Sequence, residues 1–387
     1  MKRAVVYLSV LSMILGIMAF DCSSAELTGA KLYLQQKQYD KAKEALQKEV
    51  TKNPASDEGW YLLGYLYGEE GDMPKMLENF NKSLAASKKF ESQILDSKKY
   101  YWATSFNKGV AAFNSATKTS AKDSVNMFYT KAIGNFNDAI MLEPDSVVGY
   151  TNLVYAYLNT EKVDEAIPVL EKAIKVSSSA DMISMLGQIY NEKGSKLRDT
   201  YEKTKAVDDS VNAIAYYNKA VTVLEEGRAK YPENGEILLR LSNAYIGANK
   251  LDVAINAFKA GVEKEPGNKY YRYNYGVLLL NSKDYPAAEK QFKEAVTIDP
   301  EYTNAIYNLA VAYVRWGTQM REDLETKGDV TDDSYKEKFK LAIPYLEKYL
   351  TISPKEPLIW ELLGKVYANI GMQDKSMEAF KKADENR

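Results

Sequence analysis

No histidine occurs among the 387 residues, and the one cysteine, Cys22, lies beside an apolar leader. Histidine is the usual proton shuttle near neutral pH and the commonest transition-metal ligand. Without it, and with one thiol, the chain holds no cysteine–histidine nucleophile, no zinc set and no disulfide framework. Carboxylates are plentiful but scattered beside lysines, as in Glu263 and Lys264, on helix faces that water solvates. There is no G-x-x-x-x-G-K phosphate loop and no nucleophile elbow. No cofactor and no metal are therefore expected, and a carboxylate-only hydrolase is the one enzyme class left open. The side chains are better suited to recognition than to reaction. Thirty tyrosines each pair an apolar ring with a hydroxyl, and recurring asparagines offer a donor and an acceptor together.

Charge narrows the partners. Fifty-one basic and 53 acidic residues leave a net charge of −2, so no field of one sign would gather nucleic acid or anionic lipid. Nucleic acid is not an expected partner.

The first 25 residues read as a targeting segment. Lys2 and Arg3 precede an uncharged apolar run from Ala4 to Phe20, the order of a secretory signal. Ser23-Ser24-Ala25 places small residues where a signal peptidase reads them, with cleavage before Glu26. Two rivals keep the chain on a membrane. Cys22 could be lipidated, although Phe20 and Asp21 fit a lipobox poorly, or the leader could stay as an anchor at the short limit for spanning a bilayer. The expectation is an exported chain, periplasmic or secreted, with membrane contact only if the leader is retained or Cys22 is lipidated.

Positioning elements emerge from the prolines. Pro232, Pro266 and Pro300 are each 34 residues apart; Pro54 to Pro144 and Pro144 to Pro232 each fit two such periods plus about 20 residues, and Pro300 to Pro354 fits one period plus 20. Between prolines the apolar spacing is helical. Trp60, Leu63, Gly64 and Tyr67 share one face, and Met76, Phe80 and Leu84 share another. Such a helical hairpin has one apolar side that it cannot bury alone, so it must stack on its neighbours.

This unit resembles the tetratricopeptide repeat, whose pattern is W-x2-L-G-x2-Y, then A-x3-F, then proline. The first half is complete twice, at Trp60, Leu63, Gly64, Tyr67 and at Trp360, Leu363, Gly364, Tyr367. The second half recurs as Ala132/Phe136, Ala166/Leu170, Ala254/Phe258, Ala288/Phe292 and Ala342/Leu346. The resemblance implies an all-α, right-handed superhelical solenoid of about nine helix-turn-helix repeats over residues 26–387. Three repeats, around residues 103–125, 191–212 and 316–336, have elongated helices that should project from one edge. Asp123-Ser124, Asp209-Ser210 and Asp333-Ser334 precede the second helices there and are expected to cap them.

In that family the first helices line a concave groove. Carried onto this chain, the groove positions are Tyr61 and Tyr65, Thr151 and Tyr155, Leu239 and Asn243, Tyr270, Tyr273 and Val277, Tyr307 and Val311. Asn152, Asn274 and Asn308 occupy equivalent places one residue on. They could bond the backbone of an extended peptide or could be plain solvated residues, and Leu62 and Arg240 interrupt the row. The lysine and asparagine clamp of similar chaperone-tail adaptors is missing. The resulting expectation is a non-catalytic envelope scaffold that binds a protein or extended peptide in its groove. A glycan-binding or structural wall protein is the alternative.

Overall fold

The computed structural model describes residues 24–328 and 331–387; residues 1–23 of the expected leader, Cys22 among them, fall outside the described residues. Among them every regular element is an α-helix, and the eighteen helices form nine antiparallel hairpins. They divide into two compact units, up to Ser177 and from Ser178.

Unit 1 holds four hairpins: α1 (Ala25–Gln35) with α2 (Tyr39–Lys52), α3 (Asp57–Glu70) with α4 (Met73–Ala86), α5 (Glu91–Thr117) with α6 (Lys122–Leu142), and α7 (Val147–Leu158) with α8 (Val163–Val176). Unit 2 holds five: α9 (Ala180–Thr204) with α10 (Val207–Lys230), α11 (Gly235–Gly247) with α12 (Leu251–Lys264), α13 (Lys269–Asn281) with α14 (Tyr285–Ile298), α15 (Thr303–Lys327) with α16 (Tyr335–Ile352), and α17 (Pro357–Asn369) with α18 (Gln373–Glu385). Each unit is thus a stack of helical hairpins, the repeat solenoid that the sequence pattern demands.

The repeat residues do identifiable work. Small residues of the first helix admit a large side chain of the second: a Cβ on Gly64 would lie 2.6 Å from the Phe80 ring, one on Gly276 2.7 Å from the Phe292 ring. Phe80, Phe136, Phe258 and Phe292 are in consequence fully buried. The aromatic that opens each motif reaches back to the proline loop. Trp60 Nε1 donates to the Pro54 carbonyl at 2.9 Å, Trp360 Nε1 to that of Pro354 at 2.8 Å, and Tyr150 Oη to that of Pro144 at 2.9 Å. Arg272 does the same at Pro266, 3.0 Å, which explains why a tryptophan is dispensable there. Any donor of sufficient reach satisfies a carbonyl that the helix cannot.

Successive hairpins are stapled by tyrosine hydroxyls donating to glutamates: Tyr101 to Glu69, Tyr245 to Glu225, Tyr313 to Glu289 and Tyr367 to Glu347, at 2.6–2.7 Å. Burial, then the Glu289 carboxylate, push the Tyr313 phenol up to about 12, and the phenols of Tyr245 and Tyr367 rise for the same reasons. A raised phenol favours the neutral form in the fold. Its contribution is whole below the ordinary phenol range near pH 10 and is lost as pH rises through the raised value. The melting temperature should fall from about pH 10 to 12, and Tyr313→Phe should blunt that fall; an unchanged alkaline profile in the variant would refute the assignment. At the acid end, burial pushes the Glu289 carboxyl up, but the Lys293 ammonium and the Tyr313 hydroxyl outweigh it and hold it low. Its contribution is accordingly lost as pH falls through that lowered value.

The short hairpins turn through one residue of left-handed backbone each. Glycine fills this place at Gly71 and Gly371, but Lys37, Glu161, Asn249 and Lys283 fill it elsewhere, Lys283 at φ 64°. A side chain there is strained by roughly 1 kcal/mol. Lys283→Gly should therefore raise stability by up to about 1 kcal/mol in a denaturant titration, and a loss of stability would refute the strain.

The three elongated hairpins are continuous helices, as their spacing foretold, but their capping differs from expectation. The caps of α6 and α10 are Ala121 and Ala206, with no side-chain bond. Asp123 and Asp209 sit inside the first turn, where a carboxylate favours the positive end of the helix without closing it. At α16 Ser334 is the cap but its side chain does not close the helix end, and Asp333 instead pairs with Lys336 at 2.6 Å. In unit 2 the extensions are also tied down. Arg198 of α9 donates to the Gly247 carbonyl at the end of α11, and Arg321 of α15 to Asn369 Oδ1 at the end of α17, 2.7 Å away.

Candidate functional site

First helices of consecutive hairpins pack side by side in unit 2, α9 on α11, α11 on α13 and α13 on α15. Their outward residues therefore share a surface. Leu239 of α11, Val277 of α13, and Tyr307, Val311 and Val314 of α15 are all partly exposed over a large hydrophobic cluster of the unit. Tyr270 borders this strip, with Tyr302 of the α14–α15 loop edge-on to it at 5.9 Å. Tyr302 also meets Tyr273 edge-on at 5.2 Å, and Tyr307 packs on Tyr349 at 5.8 Å. Lys269 Nζ lies 5.1 Å from the Tyr270 ring and 5.2 Å from the Tyr302 ring, held by Asp299 at 2.5 Å. The surface is mostly apolar and bordered by a paired charge.

Two of the expected groove residues in this unit are not on that surface. Tyr273 is 7% exposed, wedged between Tyr302 and Phe292, and burial drives its phenol up. Asn274 is 0% exposed and its amide donates to the Tyr270 carbonyl at 2.9 Å. Asn308 divides its amide between the Asn304 carbonyl, 3.0 Å, and the Tyr273 hydroxyl, 3.1 Å. Asn152 of unit 1 likewise donates to Val148, 2.9 Å away. Three of the asparagines thus serve their own helices, and no row of free amides faces outward along α13 and α15. Asn243 is exposed on α11.

Unit 1 presents a different arrangement. The Tyr61 ring stacks on Phe80 at 5.9 Å and beneath Phe90 at 4.8 Å, so the lead-in to α5 covers part of it. Burial raises the phenols of Tyr61 and Tyr65, in the second case with the Glu69 carboxylate adding to the effect. Tyr65 is half-buried, whereas Tyr155 of α7 is 43% exposed. Sequence reasoning missed Phe90, Tyr302 and Tyr349, which lie in linkers or second helices. Tyr302 carried one available signal, an aromatic directly after the proline loop.

Among the described residues no group of three histidine, cysteine, aspartate or glutamate side chains is placed to hold a metal ion. None of the helices described is long and apolar enough to cross a membrane.

Two tetratricopeptide repeat models match the chain, one over residues 27–88 and 239–303, the other over 148–179 and 358–387. The matches skip the three elongated hairpins. The chain is 21% identical over 286 residues to the TPR repeat-containing protein MJ1428 of Methanocaldococcus jannaschii, covering 66% of this chain and 47% of that protein. It is 24% identical over 300 residues to the protein O-mannosyl-transferase TMTC3 of Homo sapiens, 75% of this chain and 28% of that one. A third relative is the Hsp70-Hsp90 organizing protein 1 of Glycine max, 26% identical over 192 residues, 49% of this chain and 30% of the relative. The chain spans less than half the length of these curated relatives. A crystal structure of MamA superposes with a TM-score of 0.34 at 22% identity, over 52% of this chain and 91% of that one.

Proposed function

We propose that this chain, which belongs to the tetratricopeptide repeat family, is an exported, non-catalytic scaffold that holds a protein or peptide against the first-helix face of unit 2. The observation that carries this reading is the strip of Leu239, Val277, Tyr307, Val311 and Val314, apolar yet partly open to water and backed by a packed core. A preformed apolar surface loses little entropy when a partner settles on it. The relatives support the class of activity: an organizing protein for Hsp70 and Hsp90 is among them. A transferase also is, but the chain matches only 28% of that protein, and no histidine is available here for acid–base work.

Protein fits this face better than glycan. Sugars stack on flat, exposed ring faces, whereas Tyr270, Tyr273 and Tyr302 turn their edges on one another at 65–81°. With Asn274 and Asn308 spent on their own helices, specificity rests mainly on apolar side chains of the partner and not on its backbone. Export is supported by Lys2, Arg3 and the apolar run that follows.

The reading is tested by calorimetry of the purified chain against peptides with one apolar face, against charged peptides and against envelope polysaccharides. Binding of the first class alone, with a negative heat-capacity change, is the expected result. Binding of polysaccharide alone would overturn it. Export is checked separately, by locating the chain in fractionated cells.

A further inference from the structure

Ser24 is built into the first hairpin. Its hydroxyl accepts the Leu27 amide hydrogen at 3.0 Å and so caps α1. The same hydroxyl donates to Oε2 of Glu49, a carboxylate of α2 that is 1% exposed, while Oε1 of that group faces the Asn53 amide at 3.4 Å. The Glu49 side chain also lies close to the Gly59 backbone of the next hairpin, where an added Cβ would come within 3.1 Å of its Cγ. A buried carboxylate that loses a donor keeps its full desolvation cost, which makes Ser24 a structural partner and not a dispensable lead-in.

Ser23 and Ala25 mark the Ala25–Glu26 bond as a cleavage site by residue size alone. A cut there would delete the hydroxyl that serves both Leu27 and Glu49. It would also place a new ammonium at the start of α1, where the helix disfavours positive charge. Glu26, acidic in the first turn and paired with Lys52, suits that end of the helix as it stands.

We infer that the exported chain retains Ser24, so that any cut removing the leader falls on its N-terminal side. The inference rests on the export reading above. Small-residue spacing and the fold therefore point to different bonds, and the fold argues for the earlier one because Ser24 completes the buried site around Glu49.

The test is terminal sequencing and intact mass of the full chain isolated from native envelope fractions. A first residue at or before Ser24 is expected. A chain starting at Glu26 or later would overturn the inference and leave export standing, whereas a chain confined to the cytosol would overturn both. Independently, Ser24→Ala in the full chain should raise hydrogen exchange at the Leu27 amide about fivefold, the ordinary loss for a helix cap. Unchanged exchange there would overturn the structural role assigned to Ser24.

Discussion

Changing Val277 and Val311 together to lysine lowers affinity for an apolar-faced peptide by about 100-fold, while helicity and melting temperature stay close to the parent. Both residues lie on the partly open strip of unit 2, one turn beyond Tyr273 and Tyr307 along α13 and α15. Truncating or charging a central contact costs about 1–3 kcal/mol, so two such changes suffice for a hundredfold loss. The fold tolerates them because a lysine stem can lie along the apolar surface with its ammonium in water. Tyr61→Ser in unit 1 is the contrasting change. Its ring is stacked between Phe80 and Phe90, so its loss should cost stability first. A double-lysine variant that binds as tightly as the parent would remove the face from consideration and direct attention to the elongated hairpins.

Phe292→Ala costs about 3–5 kcal/mol of local stability. The ring is fully buried between Tyr273 and the backbone of Gly276, in a large hydrophobic cluster of unit 2. Hydrogen exchange at the amides of α13 and α14 reads this directly, and their protection should fall by roughly two to four orders of magnitude. The partner glycine makes the test sharper. Gly276→Ala alone forces a methyl to within 2.7 Å of the ring, an overpacking that costs about 1–3 kcal/mol. In the Phe292→Ala background the same methyl enters vacated space and gains about 1 kcal/mol of helix propensity, so its effect changes sign. Equal costs of Gly276→Ala in both backgrounds would show that the glycine is not there to admit the ring.

Much of this protein is legible as a string. The 34-residue spacing of Pro232, Pro266 and Pro300, with glycine or alanine facing phenylalanine or leucine at a fixed interval, leaves stacked helical hairpins as the consistent reading. Even the elongated hairpins declare themselves, because helical periodicity runs through the additional residues. Periodicity is a local property, and local sequence carries it fully. The absence of histidine is equally a matter of composition and removes whole classes of chemistry without any coordinates.

What the string leaves open depends on distant atoms. Tyr273 and Tyr307 occupy the same place in the repeat, yet Tyr302 covers the first and leaves the second partly exposed. Asn274 and Asn308 are likewise equivalent in sequence, and burial separates them. Asp123 and Asp209 have the right chemistry for caps but fall two and three residues past the cap, a matter of where the helix starts and not of residue type. The Arg198 and Arg321 ties each join residues almost 50 positions apart and follow no local rule. Repeat position therefore determined which helix face each residue occupies. Which of those residues meets solvent was decided only by the neighbouring hairpin, because burial belongs to the packed stack and not to the helix alone.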